Sequence, residues 1–439
     1  MAKKVTASDK KHITGGETEG GITSSYATKD GVTLKVPYSF FGSIYDEAEE
    51  KAVLAAMKQD TLTMGPKTAE FQKKFAAMCG CKHAYAVSNC TTGMHLCSQL
   101  FDIREGDEVI VTPNTFVATS LVILKQGARP VYADIDPRTF NMDPKCIAKL
   151  VTKKTKAIFC VHYAGLMCDM DPILDIAKKH GLLVLEDCAH AHNAEYKGRK
   201  AGTVSDVGVF SFHSLKNMTT CGEGGMITTN HDKFVKGIEM LRCMNLTHWD
   251  PAQTTWTFGD TSVEKKGKAD YWLPSHFDVE DYNGHWGNNY RMNEIQAAVG
   301  CCQVDKIEML TARRREIGHM LNEGLKGIKG ITPALEPDGY KHVYHLYTVC
   351  VEEEKLGASR DEFMRVLYCQ EGVQGILHYQ PTYHFKALQK MGYPQDLCPN
   401  AEKFFYRREI NLPMHPRLTT QDVETMIQAI RNAAKTVRR

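Results

Sequence analysis

Between Ala84 and Thr229 the chain alternates short apolar runs with helix-forming stretches, and this alternation restricts its fold more than any other feature. The runs are AYAVS from Ala84, EVIVT from Glu108, PVYAD from Pro130, AIFCVH from Ala157, LLVLE from Leu182, VGVFSF from Val207 and GMITT from Gly225. Most are apolar throughout, not at every second position, which is the pattern of strands covered on both faces. GMHLCSQLFDI, FVATSLVILKQG and DPILDIAKKHG, lying between the early runs, carry helical patterns. Such alternation predicts an α/β fold with a mostly parallel sheet. Further on, NEIQAAVGCCQVDKIEMLTARRREIGHMLNEGL reads as a long linking helix, followed by short strands and a last helix. The predicted organisation is an N-terminal tail (1–35), a large domain (36–290) and a small α+β C-terminal domain (291–439). Within the large domain, 247–286 is aromatic, charged and aperiodic. It reads either as a surface insertion or as a loop lining a substrate cleft.

Composition narrows the functional classes. A net charge of +2 gives no electrostatic case for nucleic acid or an anionic membrane as partner. No apolar run is long enough to span a bilayer, and the N-terminus lacks the apolar stretch of a signal peptide. A cytoplasmic protein is expected. The 15 cysteines are scattered, many in apolar company, and behave as small hydrophobes in a reducing cell. Cys79-Gly-Cys81 and Cys188-Ala-His190-Ala-His192 lack the second ligand pair of a structural zinc site, so no metal is expected.

Three segments concentrate reactive groups: Ser88–Leu96, Val184–Gly202 and Phe210–Met226. Asp187 follows an apolar strand at the carboxyl edge of the sheet, where open α/β folds bind ligands. There it can face a pyridine nitrogen, or simply cap the next segment. Lys216 follows the run VGVFSF and precedes Gly-Glu-Gly-Gly, so it is either a reactive amine or a solvated surface lysine. SNCTTG, from Ser88, lies between a strand and a helix. It reads as a phosphate cradle or as ordinary capping, and Ser211 can add a hydroxyl to it. Phe116 can stack on an aromatic ligand or belong to the core.

The chain resembles the DegT/DnrJ/StrS-type sugar aminotransferases, which have the pyridoxal-phosphate fold of aspartate aminotransferase. The resemblance runs from Gly65 onward. It is carried by GPKTAEFQKKFA, AVSNCTTGMHL, TPNTFVAT, GARPVYADIDPRTFNMDP, VHYAGLMCDMD, EDCAHAHNAEYKGRKAGTVSDVGVFSFHSLKNMTTCGEGGM, NNYRMNEIQAA, HYQPTYH and LPMHPRLT, in that order. It implies a seven-stranded large-domain sheet and pyridoxal 5'-phosphate attached to Lys216. Asp187 is then on the ring nitrogen, His190 on the ring hydroxyl and Phe116 on the ring face. Cys90, Thr91 and Ser211 fall on the phosphate cup, and His378 borders the sugar. Asn289 and Arg291 reach the phosphate of a neighbouring subunit, which implies a homodimer with shared sites. The implied reaction moves an amino group from glutamate or glutamine to a keto-sugar. The alternatives are a sugar dehydratase, against which Lys216 argues because dehydratases of this family carry histidine there, or a regulatory protein that kept the fold. Two departures from the family pattern stand out: Cys90 replaces a glycine, which would tighten the cup, and KNMTTCGEGG is one residue longer than the commonest spacing.

Overall fold

The computed structural model describes residues 26–27, 31–247 and 278–438. Most of the N-terminal tail, and 248–277 within the aperiodic stretch, lie outside the described residues. Each of the seven apolar runs forms a strand: β1 (His83–Val87), β2 (Glu108–Val111), β3 (Arg129–Tyr132), β4 (Thr155–Val161), β5 (Leu183–Asp187), β6 (Val207–Ser211) and β7 (Gly225–Thr229). They make one sheet in the order β1-β7-β6-β5-β4-β2-β3. Neighbours are parallel except that β7 runs antiparallel to both β6 and β1. The reason is local: the loop carrying Lys216 joins β6 to β7 with no crossover helix, so the chain must double back.

The unbroken apolarity of the runs has a direct cause. Val87, Val109, Val111, Phe159, Leu185 and Val209 enter one core, while Ala86, Ile110, Ile158, Val184 and Phe210 enter another on the opposite face. Successive side chains alternate across the sheet, and helices cover both faces. The helices here include α1 (Glu47–Ala56), which packs on the long helix described below, and α2 (Pro66–Cys79), α3 (Cys90–Leu100) and α4 (Ala118–Leu124), which send side chains into these cores.

The long helix α5 (Glu294–Leu325) starts at Asn293, whose side chain accepts from the Gln296 N–H at 2.9 Å. Ala297, Val304 and Ile307 from its first half join the core beneath the large sheet. Ile317, Leu321 and Leu325 from its second half join a third core. That core also holds Val36, strands β8 (Tyr347–Val351) and β9 (Glu409–Leu412), and the terminal helix Thr420–Thr436. The aperiodic stretch is closed at its base by an antiparallel pairing of Leu246–Thr247 with Asp278–Val279. Among the described residues, no helix is long and apolar enough to cross a membrane.

Candidate functional site

Asp187 ends β5, the central strand, and is buried. One carboxylate oxygen accepts from the Thr119 hydroxyl at 2.9 Å, the other from the Ala189 N–H at 3.0 Å. Burial pushes its pKa up; these two donors and the Lys216 charge pull it down.

The preceding residue points to the other face and has a different job. Glu186 is fully buried and accepts from the N–H groups of Gly202, Val204 and Ser205 at 3.0 Å each, from the Ser205 hydroxyl at 3.0 Å, and from His162 Nε2 at 2.9 Å. Glu186, His162 and Cys188 lie close enough to enclose an ion. The acceptor sites of Glu186 are already taken by these donors, so the group reads as a hub that fastens the 202–205 loop behind Asp187.

Lys216 sits in the β6–β7 loop, half-buried. Burial lowers its pKa, against the opposing pull of Asp187, Cys90 and Glu223. The shift is towards the neutral amine that a nucleophile or base requires. The loop is closed by Phe212 N–H to Gly224 O (2.8 Å) and Ser214 N–H to Gly222 O (3.1 Å). Cys221 and Gly222 turn into positive φ, 56° and 110°, and the Cys221 N–H donates to the Tyr45 hydroxyl at 2.8 Å.

The turn at Ser88–Thr91 opens α3. Asn89 caps it by accepting from the Thr92 N–H at 2.9 Å. The Cys90 and Thr91 N–H groups are left as the first-turn donors that suit an anion. Ser211 ends β6 opposite Gly225. A Cβ on Gly225 would stand 2.6 Å from the Asn89 carbonyl carbon and 2.8 Å from Cys90 N, so glycine lets the sheet close against this turn. The Cys90 thiol does not tighten the cradle. It turns inward, 3.8 Å from Val209 O and 4.0 Å from Asp187 Oδ1.

Phe116 is not core: it is 60% exposed and meets Tyr379 edge-on at 6.4 Å. His190 is buried, stacked on Tyr379 and 4.1 Å from the His345 ring. Its Nε2 lies 3.3 Å from the Tyr379 hydroxyl, while Nδ1 has no partner among the described residues. Burial, then the Lys216 charge, keep this ring neutral. His378 is half-buried; its carbonyl accepts from the Tyr163 hydroxyl at 2.8 Å. Burial and Lys216 pull its pKa down to about 4. Asn289 is exposed and Arg291 half-buried, and Tyr290 between them accepts from the Ser88 N–H at 2.7 Å. Thr119, Tyr163, Tyr379 and His345 were not singled out from the sequence. They come from four separate segments, and only the fold brings them to the site.

These residues collect at the carboxyl edge of the sheet, around a buried carboxylate, a deprotonation-prone lysine and a helix N-terminus. The sheet is that of the fold type I pyridoxal-phosphate enzymes. The chain belongs to the DegT/DnrJ/EryC1/StrS aminotransferase family, whose model matches residues 43–431. It is an aminotransferase of that family. It is 36% identical over 408 residues to the spore coat polysaccharide biosynthesis protein SpsC of Bacillus subtilis (strain 168), covering 91% of this chain and 97% of that one. It is similar to the aminotransferase of Psychrobacter cryohalolentis, with a TM-score of 0.81 and 30% identity over 92% of this chain and 100% of that one. The pyridoxal-phosphate form of Spr1654 of Streptococcus pneumoniae is similar at a TM-score of 0.78 and 27% identity, over 91% of this chain and 99% of that one.

Proposed function

We propose that the protein transfers an amino group from glutamate or glutamine to a keto-sugar, with pyridoxal 5'-phosphate on Lys216. The acceptor is a nucleotide-linked sugar or a related one such as a keto-octulosonate or keto-cyclitol. The observation that carries this reading is the pairing of two groups that burial disfavours as ions, the Lys216 amine and the Asp187 carboxylate, across one cleft edge. The orphaned Nδ1 of His190 and the unclaimed first-turn donors of α3 fit the polar rim of such a cofactor. Pyridoxal phosphate, when bound, supplies a protonated pyridine ring that draws electrons from the substrate carbon.

The chain's own residues supply the rest. Asp187, fixed by Thr119 and Ala189, holds the proton on the ring nitrogen. Lys216 Nζ takes a proton from the substrate carbon and returns it elsewhere. Cys90 and Thr91 N–H groups and the Ser211 hydroxyl bind phosphate, Phe116 covers the ring, His190 meets the ring hydroxyl and His378 borders the sugar. Asn289 and Arg291 serve the phosphate of a partner subunit in a homodimer. The test is spectroscopic. Glutamate should bleach the cofactor colour, and one keto-sugar from a panel should restore it. A protein purified with cofactor whose colour ignores both glutamate and glutamine would overturn the assignment.

Asp187→Asn should separate catalysis from stability. Because burial raises the folded-state pKa of Asp187, the folded protein binds more protons than the unfolded chain between the two pKa values, and stability falls as pH rises through that window. Asparagine removes this cost. The cofactor-free variant is expected to melt above wild type at pH 8, with the gap closing as pH approaches about 4. Its kcat should fall by about 10²-fold or more. Equal melting at both pH values with normal turnover would reduce Asp187 to a cap on the Ala189 turn.

A further inference from the structure

Next to the lysine loop lies a buried charge that the mechanism above does not use. Arg314, on α5, is fully buried, and no carboxylate pairs with it among the described residues. Removing a charge from water is costly unless its donors are satisfied; here backbone carbonyls take up both terminal nitrogens, while Nε has no partner among the described residues. One terminal nitrogen donates to Tyr344 O at 2.9 Å and to Met414 O at 3.3 Å; the other donates to Gly42 O at 2.6 Å. Burial pulls its pKa down to about 9.

The two segments that Arg314 ties together flank Lys216. On one side, the Gly42 N–H donates to Ser214 O at 2.8 Å. A Cβ on Gly42 would stand 2.2 Å from Leu215 O and 2.4 Å from Lys216 O, so this backbone lies directly on the lysine loop. On the other side, Asn217 donates to Val343 O at 3.3 Å, and its amide oxygen meets His345 Nδ1 at 3.0 Å. The loop from Ser214 to Asn217 is thus held between segment 42 and segment 343–345, and a single planar guanidinium fastens one to the other.

We propose that Arg314 is a positioning residue for Lys216: it locks the Gly42 and Tyr344 segments around the lysine loop and so fixes where the reactive amine stands. This rests on reading Lys216 as the cofactor-bearing amine. A lysine at 314 keeps the charge but lacks the rigid fork that serves both segments. Gly42→Ala presses instead on the lysine loop from the Gly42 side, leaving Arg314 in place.

The experiment compares wild type, Arg314→Lys and Gly42→Ala in two states. As holoenzyme, each variant is expected to lose on the order of 10² in kcat, the cost of about 1 Å of misplacement, with KM for glutamate changed by less than about threefold. In the cofactor-free protein, Lys216 is labelled with a small acylating reagent across pH and quantified by peptide mass spectrometry. The midpoint should rise in both variants towards about 10.4 as the freed lysine gains water. Folded variants with wild-type kcat and a wild-type labelling midpoint would overturn the proposal. So would failure of both variants to fold, since Arg314 would then serve the fold and not the lysine. If wild-type Lys216 labels with a lowered midpoint but never binds cofactor, the reading of the site fails while the effect of Arg314 on the loop is still measured.

Discussion

Lys216→Ala is expected to reduce transamination by about 10⁴-fold or more, because in the proposed reading one side chain supplies both the covalent anchor and the proton carrier. The variant should still fold. Lys216 lies half-buried in a loop closed by backbone hydrogen bonds that alanine leaves intact. It should also still bind pyridoxal phosphate, since Asp187 and the α3 N-terminus remain, but dialysis should remove the cofactor. Borohydride reduction of the wild type should fix the cofactor to the peptide that contains Lys216, and to no peptide of the variant. Labelling of another lysine would remove Lys216 from the mechanism.

Mixing Lys216→Ala protein with Arg291→Ala protein should regenerate activity from two inactive or crippled parents. If Arg291 crosses to the partner's phosphate, one site of each heterodimer carries both substitutions and the other carries neither. At equal amounts and full exchange, about one quarter of all sites are then intact, as two-fold symmetry requires. The motive for the crossing is electrostatic, since a guanidinium can offer a phosphate paired, charge-assisted hydrogen bonds. The competing arrangement has equal physical standing in one chain: Tyr290 is tied to Ser88 of its own subunit, beside its own α3. Demonstrated exchange without recovery would place Arg291 in its own subunit's site.

The sheet was legible because its strands are buried on both faces, so each announces itself as a run without polar interruption. The positions of Lys216 and Asp187 at the sheet edge were legible because each follows such a run. The direction of the Cys90 thiol and the exposure of Phe116 were not. Both depend on how α3 and the segment before α4 pack, and not on residue type. Gly42 and Arg314 were less legible still. Their contacts are with main-chain carbonyls of residues far away in sequence, and such carbonyls carry no side-chain signature.

The helix α5 has a consequence for motion. It lends Ala297, Val304 and Ile307 to the core under the large sheet, and Ile317, Leu321 and Leu325 to the core of the C-terminal part. Near its start Gly300 leaves room for the Phe71 ring, and further along Gly318 leaves room for Tyr344, so that an added Cβ would come within 2.7 Å of either ring. A rod gripped at both ends cannot serve as a hinge between the bodies that grip it. The two cores should also melt as one cooperative unit, without a state in which the C-terminal part has come apart and the large sheet persists.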